Sequence, residues 1–258
     1  MAKTIAIANQ KGGVAKTTTA INLAASLVAS RQRVLLIDLD PQGNATMGSG
    51  VDKNNLIHTS NDVLLHDCLA AQACLTTISG FDLIPGNGDL TVAEVSLMER
   101  DKRETFLFKA LQSLQNQYDF ILIDCPPALN TLTLNALVAA DSVLIPMQCE
   151  YFALEGLAAL MSTIEQVRSS VNPRLQLEGV LRTMYDSRNR LCSDVSKQLL
   201  AHFNNKVYRT VIPRNVRLAE APSHGMPVLQ YDRTSSGSSA YMILASELLG
   251  KQTVTVSI

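Results

Sequence analysis

The chain has 258 residues, 47% of them hydrophobic, a formal net charge of −1 and five cysteines. That length and apolar content suffice for one large α/β domain over residues 1–258, and the near-neutral charge excludes a protein that is basic all over. Cys68, Cys74, Cys125, Cys149 and Cys192 are odd in number and form no Cys-x-x-Cys pair, so a reduced, cytoplasmic chain without a dedicated metal site is expected.

The opening "MAKTIAIANQKGG" is interrupted too early for a signal peptide, and no apolar run approaches the roughly 18–20 residues of a transmembrane helix. The tail "GKQTVTVSI" lacks the basic amphipathic pattern of a membrane-surface helix, so a soluble protein with no membrane contact is expected.

In chain order, "TIAIAN" (4–9) reads as a buried strand, followed by "KGGVAKTTTAINLA" and a helix over 16–30. Gly12 and Gly13 let backbone N–H groups converge on phosphate oxygens, and the helix start adds partial positive charge. Lys16 is placed to reach β- and γ-phosphates and the Thr17 hydroxyl to ligate Mg²⁺, with Val14, Ala15 and Thr18 completing the cradle. Ala15 has two conformations open to it, left-handed or already helical. The second is expected, because Ala15 directly precedes the helix that Lys16 opens.

Next comes "RVLLIDL" (33–39), with Asp38 and Asp40 at its C-terminal end and, by strand alternation, on the same side. Both are candidates to approach phosphate and metal, Asp38 the nearer to the Mg²⁺ shell. Residues 43–61, rich in Gly, Ser, Asn and Asp, read as a long mobile surface loop. Further strands are expected at 81–86, 119–124, 142–147, 177–184 and 207–212, and helices at 103–117, 131–139, 154–170, 193–204 and 238–249. The near-continuous apolar runs predict a mostly parallel, twisted sheet covered by helices on both faces, and the glycine-rich loop with Lys16 and Thr17 between strand and helix resembles that of a P-loop NTPase.

"YDFILIDCPPALN" is an apolar strand ending in Asp124, whose carboxylate can hold a metal-bound water, and the two prolines keep the following switch segment extended. Cys125 reads as a small core-lining residue. Between Arg168 and Arg233 there are 11 basic and 5 acidic residues, a net +6 that would suit a polyanion.

The spacing K-G-G-x-x-K-T differs from G-x-x-x-x-G-K-[ST], since Gln10 stands where the first glycine would be. It resembles the deviant Walker A box of the ParA/MinD ATPases. With "VIPRNVRLAEAPSHGMPV" and "AYMILASELL", the resemblance to the ParA/Soj type spans nearly the whole chain. That resemblance implies ATP and Mg²⁺ as ligands and a homodimer in which Lys11 reaches the phosphates held by the other subunit. It further implies that Asp40 orients the attacking water and that Pro213 and Asn215 border the adenine. Arg188 and Arg214 or Arg217, with Arg190 nearby, would belong to a sequence-independent DNA surface. A ParB-type partner would stimulate slow hydrolysis on the nucleoid.

Three rivals share this box. A MinD-like membrane ATPase needs an amphipathic C-terminal helix, an iron–sulfur relative needs cysteines placed to bridge a dimer, and an amidating ligase needs a substrate domain for which the length leaves little room. A fourth possibility, of another class, is an ATP-switched DNA-binding scaffold with negligible turnover.

Overall fold

The computed structural model describes the backbone of residues 1–255 and the side chains of 1–250, so the expectation for the tail "GKQTVTVSI" falls largely outside the described residues. Eight strands form one sheet: β1 (Lys3–Ile7), β2 (Val34–Asp38), β3 (Leu75–Thr76), β4 (Asp82–Ile84), β5 (Phe120–Asp124), β6 (Ser142–Gln148), β7 (Gln176–Tyr185) and β8 (Val207–Pro213). Their order is β3-β4-β2-β5-β1-β6-β7-β8, and every pairing is parallel except β3 with β4. Parallel strands need crossover connections, and these supply the covering helices.

Alternation along the central strands explains the two cores. Ala6, Leu35, Ile37, Ile121 and Ile123 face one layer, while Ile5, Ile7, Leu36, Phe120 and Leu122 face the other. Each strand must therefore be apolar on both sides, which is why these segments read as unbroken hydrophobic runs.

The helices are α1 (Lys16–Ala29), α2 (Asn44–Gly48), α3 (Ser60–Leu65), α4 (Leu90–Met98), α5 (Phe106–Leu111), α6 (Thr131–Ala139), α7 (Ala153–Ser170), α8 (Arg190–Phe203), α9 (Val216–Glu220), α10 (Val228–Tyr231) and α11 (Ser236–Thr255). Among the described residues no helix is long and apolar enough to cross a membrane. Three successive β-branched threonines make a weak helix start. Tertiary contacts hold α1 instead: Thr19 Oγ1 lies 3.1 Å from the Tyr241 hydroxyl, and Asn22 Oδ1 accepts from Val228 N at 2.7 Å.

Several expectations need correction. Residues 43–61 are not one long loop, because α2 is packed into the molecule, with Ala45, Thr46 and Gly48 buried. The surrounding Gly, Ser, Asn and Asp suggested solvent exposure, whereas Thr46 makes its hydrogen bonds internally, with Asp38 and Gly86. The segment's last residues, Ser60 and Asn61, open α3, which Thr59 caps through a reciprocal bond with Asp62. The helix expected at 103–117 is a short 3₁₀ turn (Arg103–Thr105) followed by α5 alone. α4 and β3 were not anticipated.

Among the described residues, each sheet edge is either short or partly covered. The β3 edge is two residues long. On β8, the Glu247 carboxylate from α11 accepts from Arg209 N (2.8 Å), Thr210 N (3.0 Å) and Thr210 Oγ1 (2.7 Å).

Candidate functional site

β1 delivers residues 8–15 to the C-terminal edge of the sheet, where parallel strands of this kind hold ligands. Two side chains fix the loop. Asn9 Nδ2 donates to the Pro146 carbonyl (2.8 Å) while its Oδ1 accepts from Lys11 N (3.0 Å), and Thr183 Oγ1 donates to the Val14 carbonyl (3.0 Å). Gly13 is left-handed, with φ of 71°. Apart from the adjoining residues, no protein atom lies within 4 Å of where a Cβ would stand on Gly12 or Gly13, so the space beside the loop is open.

Lys16 is buried, and its ammonium donates to the Lys11 carbonyl at 3.1 Å. Burial lowers its pKa, while Asp124, Cys125 and Asp40 act in the opposite direction. The result is a buried cation held against the backbone of the loop. Lys11 is different: it is half-exposed and its ammonium pairs with the Glu150 carboxylate.

Ala15 contradicts the expectation of a helical backbone. It is the N-cap of α1 with φ 67° and ψ 34°, because the loop must reverse sharply before Lys16 can begin the helix. Its methyl group stands in the left-handed region, at a cost of about 1 kcal/mol. Ala15→Gly is therefore expected to stabilise the fold by about 1 kcal/mol, read as an increased urea midpoint at unchanged slope.

Three carboxylates lie behind the loop. Asp124, at the end of β5, is fully buried, and neither oxygen has a hydrogen-bond partner among the described residues. Burial, then the nearby Asp38, holds its carboxyl well above the usual range, opposed by Thr17 and Lys16. A buried, unpartnered carboxylate next to a threonine hydroxyl fits a hydrated cation, which would satisfy it. Thr17 and Asp124 are thus the residues that would hold magnesium.

Asp38 is bound differently. Its Oδ2 accepts from Thr46 N (2.8 Å) and Thr46 Oγ1 (2.7 Å), and its Oδ1 from Asp40 N (3.2 Å). Burial still pushes it up to about 6. Asp40 is buried and uses Oδ1 to accept from Gln42 N at 3.0 Å.

The sequence reading missed the supports beneath these acids. The Thr46 hydroxyl also accepts from Gly86 N (2.8 Å), and Ser60 Oγ donates to the Asp38 carbonyl (2.6 Å). Gly86 passes so close that a Cβ there would lie 2.5 Å from the Asp38 carbonyl oxygen, which is why glycine occupies the position.

A cavity of about 170 Å³ opens beside the loop, between Ala15, Thr18, Ile212, Pro213, Asn215 and Tyr241. It is mainly apolar, as a planar base requires. Asn215 caps α9, accepting from Leu218 N (3.3 Å) and donating to Ser236 Oγ (2.8 Å), which leaves one amide hydrogen for a ligand.

The candidate DNA contacts share the same edge, since Tyr185 of β7 pairs with Pro213 of β8 and the arginines follow both strands. Arg188 grips Asp186 through Nε and Nη2, both at 2.9 Å, and holds that carboxyl down at about 2. Arg190 lies 3.9 Å from Asp194, and Arg217 bridges Glu220 (2.8 Å) and Asp232 (3.3 Å). Arg214 lines the apolar cavity beside Pro213 and Asn215. Three of the four candidate arginines, Arg188, Arg190 and Arg217, are thus paired with acids within the single chain.

Comparison with known proteins bears on this geometry. A family model described as an AAA domain matches residues 2–177. The chromosome partitioning protein ParA of Caulobacter vibrioides is 51% identical, covering 97% of this chain and 95% of its own. The sporulation initiation inhibitor protein Soj of Bacillus subtilis is 49% identical over 96% of this chain and 98% of its own. Among solved structures, cobyrinic acid a,c-diamide synthase from Mycobacterium smegmatis with bound ATP analog and magnesium gives a TM-score of 0.85 at 40% identity, covering 96% of this chain and 95% of that one. Length does not separate an amidating synthase from a partitioning ATPase, contrary to the expectation above. Sequence identity favours the partitioning relatives.

Proposed function

Because this chain belongs to the ParA/Soj family of chromosome-partitioning ATPases, we propose that it binds ATP with magnesium, pairs with a second copy and binds DNA in that state. The observation that supports the ATP and magnesium part of this reading is the buried Asp124 carboxylate near Thr17 and Lys16, while pairing and DNA binding rest on the family. In this reading the loop amides and Lys16 hold the phosphates, Thr17 and Asp124 hold magnesium with Asp38 braced behind them, and Pro213 and Asn215 border the adenine. Magnesium supplies charge neutralisation on the phosphates.

Hydrolysis is an in-line attack of water on the γ-phosphorus, with ADP as the leaving group. Asp40 orients the water, and Lys16 offsets charge on the transferring group. Lys11 contributes from the second copy, so the site is complete only in the pair. A ParB-type DNA-bound partner would accelerate this step and release the dimer from nucleoid DNA.

DNA contact is assigned to Arg188, Arg190, Arg214 and Arg217. Most of these are paired with acids in the single chain, so phosphate must replace carboxylate as their partner. Arg214→Ala with Arg217→Ala, at saturating ATP, is expected to weaken binding to unrelated duplexes alike. The slope of log affinity against log salt should fall by about 0.9 for each lost phosphate contact. An unchanged slope removes these arginines from the surface. DNA binding that is equal with ADP and ATP defeats the nucleotide-switch reading altogether.

A further inference from the structure

The Lys11 ammonium is not idle in the single chain. It is paired with Glu150, which lies in the short connection between β6 and α7. Both members are held at their backbones. Lys11 N is tied to Asn9, and Asn9 to Pro146 of β6, so the loop and the end of β6 are fastened together. On the other side, Glu150 N donates to the Gln148 carbonyl (2.9 Å), and the Glu150 carbonyl accepts from Ala153 N (3.1 Å) at the start of α7. The pair therefore joins two braced pieces of backbone through two long side chains that are 45% and 44% exposed.

We propose that Glu150 is a positioning residue for Lys11: it keeps the ammonium against its own chain and must release it before Lys11 can reach a triphosphate held by a second copy. This inference rests on the cross-subunit reading of Lys11 given above. Drawing the ammonium onto Glu150 turns it back toward its own β6–α7 connection, so the two engagements compete. The competition sets a threshold and does not block pairing, because half-exposed ion pairs are weak and screened by salt. A triphosphate, with more charge than one carboxylate, prevails once two loaded copies meet.

The test uses the full chain carrying Glu150→Gln, magnesium and a non-hydrolysable ATP analogue, with pairing followed by light scattering. Pairs of this exposure shift an equilibrium by up to about fivefold, and two are broken per dimer, so the dissociation constant should fall by up to about 25-fold. The difference from the parent should shrink as salt rises from about 0.05 to about 0.5 M. In a Lys11→Ala background, Glu150→Gln should leave nucleotide affinity unchanged. Tighter nucleotide binding there would mean that Glu150 merely repels phosphate, and would overturn the inference. Unchanged pairing would also overturn it, as would weaker pairing, which would place Glu150 among the contacts of the dimer. If Lys11→Ala pairs normally, the cross-subunit reading itself fails, whatever Glu150 does. If Lys11→Ala stays single while Glu150→Gln pairs like the parent, the Glu150 inference alone is lost.

Discussion

Lys11→Ala is expected to leave ATP binding by the single chain intact and to abolish ATP-dependent pairing. The single-chain part follows from geometry. Lys16 is the buried lysine inside the cradle, whereas Lys11 is half-exposed and engaged with Glu150 on its own chain. The pairing part follows from charge. Two bound triphosphates brought face to face repel one another, and a desolvated ammonium crossing between subunits offsets that repulsion. Loss of one partner from such a contact costs about 2–5 kcal/mol, and each dimer loses two. Association should fall by at least about a thousandfold. Light scattering with ATP and magnesium measures this directly, and a normal dimer would refute the assignment.

Asp40→Ala has an equally large effect on a different quantity. Asp40 is buried at the end of β2, close enough to Lys16 and Asp124 to shift both. One oxygen is committed to Gln42 N, which sets the direction of the carboxylate. Removing a group that orients the attacking water should lower turnover by about 10²–10⁴-fold. Pairing should persist or lengthen, because phosphate neutralisation by Lys11 and Lys16 does not pass through Asp40. Phosphate release and scattering measured on one sample separate the two effects. Turnover within about tenfold of the parent would exclude Asp40 as the water-orienting group.

Much of this site could be read from the residues alone. The loop around Gly12, Gly13 and Lys16 is local, and the strand that precedes it and the helix that follows it carry their own periodicities. Asp124 was legible for the same reason, ending a strand apolar on both faces. Ala15 was misread because its conformation depends on how sharply the loop must turn, which propensity does not report. Ser60 and Gly86 were missed because they meet Asp38 from 22 and 48 residues away, and Thr46, eight residues on, because it sits on a short helix that the composition hides. The segment holding Thr46 has the composition of a loop, yet the Thr46 amide and hydroxyl are satisfied inside the molecule by Asp38 and Gly86. Glu150 carried no signal at all, standing 139 residues from Lys11 in an ordinary strand-to-helix connection.

The carboxylate that Glu247 lays along β8 has a consequence for how copies of this chain can assemble. A bare outer strand offers a template onto which a neighbour can add, and repeated addition produces fibres. Here the amides of Arg209 and Thr210 are already taken, and the opposite margin is too short to recruit another strand. Sideways growth is thereby disfavoured at both margins, because an added strand would have to displace Glu247 on one side and would find only two residues to pair with on the other.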